Sequence, residues 1–414
     1  MIRHRFIALI AATLLLAGCG AFNPNPTPRP SGQPVTGSAE PAPGATWNPI
    51  TGDGLDRIEL GPVAAGGDGN PRAFGRSVGP IPPGASTPPA SLWTSTGGRS
   101  WSRGPESAAF EPVRARWDRV PLDLLWTDPG FVAVGMSQLD DASQADAAAW
   151  FSPDGSTWQP VLVDEGGGRT IDEVVRTDHG LIAFGAARYD YHAGFGDGTA
   201  IWTSPDGRSW TRRKDAEAPP RGVRLRDITR VADGSWIAIA RGEISEGDDG
   251  LARQAVTDGI WRSDDGLQWV PVEGSPLDLG PMVASPDGLA ALGRRDDPAA
   301  GEDIPAIWRS TDGATWTSAA LPRPAGLPAG TTLDAGVLAS SAAGWLIAAD
   351  RDGGDAGSVI WMSADGVAWT ASAEGPWGNA RIVRATAVAG GILVTGETFG
   401  AGGVSVPITW FVTR

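Results

Sequence analysis

Arginines recur in the segments that link the repeated stretches of this 414-residue sequence, and they are its most numerous candidates for binding chemistry. A guanidinium group presents several N–H donors in one plane, which suits carboxylate or phosphate groups, and tryptophan offers a flat face to a sugar or ring. The candidates are Arg114, Trp117, Arg188, Arg221, Arg224, Arg241, Arg294, Arg351, Trp377 and Arg381. They predict a site for a polar or anionic ligand. Loops that are charged only because they face solvent are the alternative.

One linking segment, residues 188–197, concentrates aromatic side chains. It contains Tyr189 and Tyr191, the only two tyrosines of the sequence, together with Asp190 and His192. Binding residues are often carried on long loops that a rigid scaffold holds in place. We expect this segment to contribute to the ligand site, and the alternative is that its aromatic rings only attach the loop to the scaffold.

Metal and cofactor chemistry has little support in the sequence. Asp350, Asp352 and Asp355 have a spacing that suits calcium, but the glutamate that completes an EF-hand loop is missing. The three histidines are widely separated, which argues against a zinc site. We therefore predict no metal and no cofactor.

The elements that position these segments are repeated hairpins. Six copies of the pattern Trp-x-Ser-x-(Asp/Gly)-Gly-x-x-Trp occur, with 47 to 59 residues between successive first tryptophans. Each copy encloses a polar turn such as Ser152-Pro153-Asp154-Gly155, whose residue types favour a tight β-turn. Apolar runs such as Gly130–Gly135 alternate with the hairpins and are typical of strands buried on both faces. Each repeat therefore predicts four strands, the unit of a β-propeller blade.

The repeated turn resembles the Asp-box, or bacterial neuraminidase repeat. Ser152–Trp158 and Ser310–Trp316 match Ser-x-Asp-Gly-x-(Ser/Thr)-Trp in full, whereas Ser95–Trp101 has Gly97 in place of the aspartate. In that family the box turns lie on the face opposite the usual ligand site. The resemblance therefore implies a structural role for the box aspartates, which are Asp154, Asp206, Asp265, Asp312 and Asp365.

The two ends of the sequence are expected to complete one blade. Ile408-Thr409-Trp410 resembles the third strand of a repeat, and Gly44-Ala45-Thr46-Trp47 repeats the letters of residues 313–316. The sequence therefore predicts an all-β fold, a seven-bladed β-propeller of four-stranded blades over residues 44–414. Residues 44–50 are expected to close the ring as the last strand of the last blade, which leaves no free sheet edge.

The N-terminal residues resemble a bacterial lipoprotein signal. Arg3 and Arg5 precede an apolar run, residues 6–17, which is too short to span a bilayer as a helix. Leu16-Ala17-Gly18-Cys19 matches the lipobox of that family, which implies removal of residues 1–18 and acylation of Cys19. Residues 19–43 are rich in proline and are expected to form a tether. We therefore expect an extracytoplasmic monomer anchored by lipid to the cell membrane, or to an outer membrane where the cell has one.

Function is less well indicated than fold. The formal net charge of −15 argues against nucleic acid as a partner. Sialidases of the resembled family carry a Phe/Tyr-Arg-Ile-Pro motif, which this sequence lacks, and they have six blades. We therefore expect a non-enzymatic binding or scaffold module for a glycan, a peptide or an envelope protein. The alternative is an exo-acting glycoside hydrolase of sialidase-like or other Asp-box type, with two carboxylates that the sequence alone does not select.

Overall fold

The computed structural model describes most of the chain beyond residue 43. The described residues are 44–52, 54–78, 89–111, 117–139, 145–164, 167–187, 189–190, 195–196, 198–213, 219, 222–242, 244–246, 252–254, 258–297, 302–328, 330–351, 357–399 and 405–414. The chain divides into two compact units, Met1–Ser38 and Ala39–Arg414. The predicted signal peptide, Cys19 and the predicted tether lie outside the described residues. Among the residues that are described, no helix has the length and apolar character needed to cross a membrane.

The described part of the chain is built from strands, with two short 3-10 helices at Leu55–Arg57 and Ala108–Phe110. In chain order the strands are β1 (Thr46–Pro49), β2 (Ile58–Ala65), β3 (Pro71–Ser77), β4 (Ser91–Thr96), β5 (Ser100–Arg103), β6 (Trp117–Thr127), β7 (Gly130–Leu139), β8 (Ala145–Ser152), β9 (Gln159–Val163), β10 (Glu173–Thr177), β11 (Gly180–Ala186), β12 (Tyr189–Asp190), β13 (Phe195–Gly196), β14 (Thr199–Ser204), β15 (Ser209–Arg212), β16 (Val223–Arg230), β17 (Trp236–Gly242), β18 (Ile244–Glu246), β19 (Ala252–Gln254), β20 (Gly259–Ser263), β21 (Val270–Pro271), β22 (Met282–Ser285), β23 (Gly288–Asp297), β24 (Glu302–Ser310), β25 (Thr317–Ala320), β26 (Leu333–Ser341), β27 (Gly344–Arg351), β28 (Ser358–Ser363), β29 (Thr370–Ser372), β30 (Arg381–Val388), β31 (Gly391–Phe399) and β32 (Ser405–Thr413). The all-β part of the prediction is confirmed.

Most sheets have four strands that follow one another along the chain. Five described sheets have four strands, and one has eight because β9 and β15, the outer strands of two four-strand groups, pair in parallel. Two further pairs, β12–β13 and β18–β19, form small ribbons. The four-strand groups are group 1 (β2–β5), group 2 (β6–β9), group 3 (β10, β11, β14, β15), group 4 (β16, β17, β20, β21), group 5 (β22–β25), group 6 (β26–β29) and group 7 (β30–β32 with β1).

Group 7 joins the two ends of the described chain. Strand β1 pairs antiparallel with β32, with Trp47 opposite Val412 and Pro49 opposite Trp410. The amide of Ile50 extends this pairing by donating to the Thr409 carbonyl at 2.8 Å. An N-terminal strand therefore supplies the outer edge of the sheet that contains the C-terminal strand.

The first strands of the groups form a circuit of contacts. β2 contacts β6, and contacts then continue through β10, β16, β22 and β26 to β30, which in turn contacts β2. Buried side chains fill the space between neighbouring groups. For example, Val132 and Phe151 of group 2 pack with Leu181 and Trp202 of group 3 in one cluster. The first strands thus surround a common centre, and the apolar core lies between the sheets.

The box turns are closed by hydrogen bonds from backbone amides to side chains. The Oδ1 atom of Asp312 accepts hydrogen bonds from the amides of Ala314 and Thr315, each at 2.8 Å. In the same turn, Ser310 Oγ accepts from the Gly313 amide at 2.8 Å. These amide donors lower the pKa of Asp312 to about 2. The carboxylates of the other box aspartates accept in the same way from backbone amides two or three residues later in the chain; these are Asp154, Asp206, Asp265 and Asp365. The aspartate of each of these turns is therefore occupied by hydrogen bonds within the turn.

Candidate active site

One position of the repeat carries a carboxylate in three successive groups. Asp123, Glu173 and Asp227 each stand seven residues before the glycine that precedes or begins the second strand of the group, which is Gly130, Gly180 and Gly234 respectively. All three lie on first strands, the strands that surround the centre of the molecule. Group 7 has Arg384 at the same position, seven residues before Gly391. The repeat therefore places charged side chains around the centre.

Irregular strand pairing accompanies several of these residues. The register between β6 and β7 shifts between Pro121 and Asp123, and the register between β30 and β31 shifts between Ile382 and Arg384. The shift between β16 and β17 encloses Asp227, whose φ of 51° is unusual for a residue with a side chain. Bulges of this kind bend a strand and redirect its side chains, and they are common beside active sites.

The carboxylates of Asp123 and Glu173 each reach across to the next group. Asp123 accepts from its neighbour's amide, that of Leu124, at 2.8 Å and from the Val174 amide of group 3 at 2.9 Å. Glu173 accepts in the same way from the Ile228 amide of group 4 at 2.9 Å. Because Val174 directly follows Glu173, the two acidic side chains are neighbours along the inner circuit of strands. Both residues keep part of their surface open to solvent.

Burial changes the proton affinity of these two carboxylates. Burial raises the pKa of Asp123, while the Val174 and Leu124 amides and the Arg384 guanidinium oppose the rise. The pKa of Glu173 is raised well above its usual range, first by burial and then by the negative charges of Asp123 and Asp227. Glu173 is therefore the group that holds its proton to higher pH, and Asp123 is the group with the stronger support for its ionised form.

A cavity of about 440 Å³ lies beside Asp123, between groups 1 and 2 and the first strand of group 7. Leu122, the residue before Asp123, lines it, and so does Arg384. Gly61 at the cavity wall has φ 147°, and a Cβ there would lie 2.7 Å from Nε of Arg384. A glycine at this position therefore leaves the space that the Arg384 side chain occupies.

Several of the sequence-predicted ligand residues lie outside the part of the chain that the structure describes. These are Arg114, Arg188, Tyr191, His192 and Arg221, and with them Asp352 and Asp355 of the calcium hypothesis. Four others are placed by their backbone alone: Trp117 begins β6, Tyr189 and Asp190 form β12, and Arg241 lies in β17. The structure neither groups these residues into a site nor separates them.

The remaining predicted arginines bind the protein itself. Arg381 donates to Asp350 at 2.7 Å and lies 3.7 Å from Glu397. The Arg294 guanidinium donates to the Leu333 carbonyl of the next group at 3.0 Å. Arg351 donates to the Ala373 carbonyl, and Arg224 pairs with Asp172 of the preceding group. These bonds hold loops and neighbouring groups together.

Trp377, predicted as an aromatic platform for a ligand, lies in the core. It is 3% exposed, and its ring centre is 4.9 Å from that of Trp47. Its Nε1 donates to the Ser358 carbonyl at 3.1 Å. The indole therefore packs group 7 against group 6 and has no face free for a ligand.

Attention to the variable loops missed Asp123, Glu173 and Asp227. The signal that identifies Asp123 is a carboxylate inside an otherwise apolar stretch, Pro121-Leu122-Asp123-Leu124-Leu125, and Glu173 and Asp227 stand at the same position of their repeats. Such a residue is costly to bury unless it is hydrogen-bonded or has a function. Across the described residues, no cluster of three or more His, Cys, Asp or Glu side chains is arranged to hold a metal ion.

Comparison with known proteins finds similarity in structure only. No protein-family model and no curated protein sequence matches the chain. An α-L-arabinanase of Penicillium chrysogenum complexed with arabinobiose aligns with 13% identity and a TM-score of 0.45, covering 89% of this chain and 98% of its own. A protein of unknown function from Dyadobacter fermentans aligns with 12% identity and a TM-score of 0.46, covering 90% and 100%. A β-fructofuranosidase of Schwanniomyces occidentalis aligns with 9% identity and a TM-score of 0.38, covering 89% and 94%.

The expectation of a non-enzymatic binding or scaffold module was wrong. The similar structures include an arabinanase, an exo-β-1,3-galactanase, β-fructofuranosidases and a family-43 glycoside hydrolase. The physical reason that the sequence misled is that the inner carboxylates lie on strands, whereas the loops supplied all the candidates. The matches concern the fold, and the chemistry below rests on the side chains of this chain.

Proposed function

We propose that this protein is a glycoside hydrolase whose catalytic residues are Glu173 and Asp123. The observation that carries the proposal is a pair of neighbouring, partly open carboxylates whose surroundings separate their proton affinities. Cleavage of a glycosidic bond requires one carboxyl group that donates a proton and one that acts as a carboxylate. Two neighbouring carboxyl groups with unequal pKa values meet that requirement.

Glu173 is assigned as the proton donor. Its raised pKa keeps the carboxyl group protonated at pH values where an ordinary glutamate is ionised. As the bond between the anomeric carbon and the leaving oxygen breaks, the Glu173 proton passes to that oxygen. Water then adds its hydroxyl to the anomeric carbon, and the remaining proton restores the enzyme.

Asp123 is assigned as the carboxylate that acts at the anomeric carbon. Two amide donors hold it in place, at 2.8 and 2.9 Å, and Arg384 favours its charged form. A negative charge here stabilises the positive charge that develops on the sugar ring in the transition state. Asp227 acts indirectly, because its charge helps to keep Glu173 protonated.

The test is a panel of fluorogenic glycosides assayed with the purified protein. We expect turnover of at least one glycoside, and a loss of kcat of about 10²- to 10⁴-fold in both Glu173→Gln and Asp123→Asn. Glu173→Gln keeps an oxygen that can accept the Ile228 amide, and Asp123→Asn keeps an oxygen for one of the two amides that Asp123 accepts. Asp264→Asn, at an exposed aspartate beside a separate cavity, is the matched control and should keep wild-type activity. Absence of turnover across the panel, or full activity in Glu173→Gln, would refute the assignment.

We further propose that the strand groups are the seven blades of one closed β-propeller of the Asp-box type. The pairing of β1 with β32, the circuit of first-strand contacts and the box hydrogen bonds support this architecture. Closure of the ring by β1 would place all first strands around one axis, where Asp123, Glu173 and Asp227 would face a shared channel.

We also propose that the protein is a lipoprotein held outside the cytoplasm through Cys19, as a monomer. The lipobox-like sequence of residues 16–19 supports this location. Incorporation of a labelled fatty acid into the wild-type protein, and its loss in Cys19→Ser, is the expected result. Equal labelling of both would contradict the anchor.

A further inference from the structure

We infer that the cavity beside Asp123 is the sugar-binding subsite of this enzyme, and that it selects a neutral sugar unit rather than an acidic one. The inference rests on the proposed function, because it takes Asp123 as a catalytic group. All the residues used to describe this cavity belong to the described part of the chain.

The cavity lies next to the strand segment that carries Asp123, one of the two proposed catalytic carboxylates. Leu122 in its wall is bonded to Asp123, and Arg384 lines the cavity while it also acts on the Asp123 carboxylate. A sugar ring in this space therefore lies beside the strand segment that carries Asp123. The volume of about 440 Å³ falls within the range of roughly 300–1,000 Å³ that is usual for small-molecule sites.

The charged groups around the described cavity wall balance one another. Glu59 and Arg76 form an ion pair of 2.8 Å and so cancel. Of the others in the wall, Asp118 is acidic, and Arg119 and Arg384 are basic; Asp123, directly behind the wall, supplies the second negative charge. A ligand with its own carboxylate would add an unbalanced charge to a partly buried space, which is unfavourable. The charge balance therefore favours a neutral ligand.

The polar side chains of the cavity wall indicate which hydrogen-bonding groups a ligand needs. Asp118 and Gln138 lie opposite each other on β6 and β7, and neither side chain has a hydrogen-bond partner among the described residues. Arg119 has one bond, to the Ala109 carbonyl. A carboxylate accepts hydrogen bonds, a guanidinium donates them and an amide does both. Vicinal hydroxyl groups, which donate and accept, satisfy such a set.

The floor of the cavity is apolar. Phe74 and Phe110 line it with their rings 4.9 Å apart between centres, and Pro62 and Pro121 complete the buried surface. These two rings are only 2% and 1% exposed, so they back the cavity as packed apolar surface, and the hydroxyl groups of a ligand are left to the polar wall. An apolar floor and a balanced polar wall, beside the strand that carries Asp123, together describe a site for one neutral sugar unit.

The test measures binding separately from turnover. Isothermal titration calorimetry on Glu173→Gln, with methyl glycosides of glucose, galactose, arabinose, glucuronic acid and galacturonic acid, compares neutral with acidic sugars. We expect at least one neutral glycoside to bind and at least a tenfold weaker affinity for its acidic counterpart. Adding Asp118→Ala or Gln138→Ala to this protein should weaken neutral-sugar binding about tenfold or more, whereas adding Asp264→Ala should not.

The possible results separate the two proposals. Binding of the uronic acid glycosides in preference to the neutral ones, or unchanged affinity in Asp118→Ala and Gln138→Ala, overturns the neutral subsite but leaves hydrolysis intact. Neutral-sugar binding that depends on Asp118, without turnover of any glycoside by the wild type, supports the subsite and overturns the hydrolase. A milder change, Asp118→Asn, keeps the test valid if Asp118→Ala unfolds, and circular dichroism checks the fold of each variant.

Discussion

The box turns and the inner circuit of strands both use carboxylates that accept backbone amides, yet they shift the pKa in opposite directions. Asp312 in an exposed box turn has its pKa lowered to about 2 by two amides. Glu173 on an inner strand also accepts an amide, but burial and the charges of Asp123 and Asp227 raise its pKa well above the usual range. The same bond therefore serves structure where water solvates the charge, and chemistry where it does not.

The largest effect on stability is expected where β1 pairs with β32. Removal of residues 44–50 takes away β1, exposes the edge of β32 and uncovers Trp410, which packs on Trp47 at 5.8 Å. We expect a loss of cooperative unfolding, and for the milder Trp47→Ala a destabilisation of about 3–5 kcal/mol. Chemical denaturation followed by tryptophan fluorescence measures both. A truncated protein that unfolds like the parent would mean that β1 does not close the ring.

Glu173→Gln should separate stability from activity. A carboxyl group whose pKa is raised by folding contributes fully below its unfolded pKa, near 4.5, and becomes destabilising as the pH rises toward the folded value. The variant is therefore expected to be more stable than the wild type at pH 8 and closely similar at pH 4, although it loses turnover. Thermal melting at the two pH values provides the measurement. Lower stability of the variant at pH 8 would show that Glu173 is a structural charge.

Asp312→Asn should behave in the opposite way. A carboxylate whose pKa is lowered by folding stabilises the protein above its unfolded pKa of 3.8, and this contribution is lost as the pH falls toward about 2. Its two amide bonds predict a loss of about 1 kcal/mol at pH 7. The difference from the wild type should vanish near pH 2, and kcat at pH 7 should not change. A drop in kcat without a drop in stability would place this face in the chemistry.

The same comparison explains how much the sequence revealed. The box turns could be found because every copy needs the same Ser, Asp, Gly and Trp to close its hairpin, so the pattern recurs in register. The strand at Thr46–Pro49 was visible for the same reason, since its letters repeat those around Trp316.

The inner carboxylates could not be found by repetition, because the residue type at this repeat position differs between groups. That position holds Asp123, Glu173, Asp227 and Arg384 in four groups. Their significance depends on neighbours distant in the chain, such as the 51 residues between Asp123 and its amide partner Val174. Arg224 and Arg381 show the converse, since isolated loop arginines in the sequence proved to have carboxylate partners in other groups.

The smallest expected effect concerns Asp227, and it tests the cause of the raised pKa directly. The negative charge of Asp227 contributes to the high pKa of Glu173, so Asp227→Asn should lower that pKa. The hydrogen bond between the Asp123 carboxylate and the Val174 amide should remain. The alkaline limb of the kcat profile, which reports the proton donor in the enzyme–substrate complex, should move to lower pH by a fraction of a unit. Asp264→Asn, which lies away from the inner strands, should leave the limb in place. An unshifted limb in Asp227→Asn would mean that burial alone holds the proton on Glu173, and the inner carboxylates would then act as separate groups rather than as a coupled set.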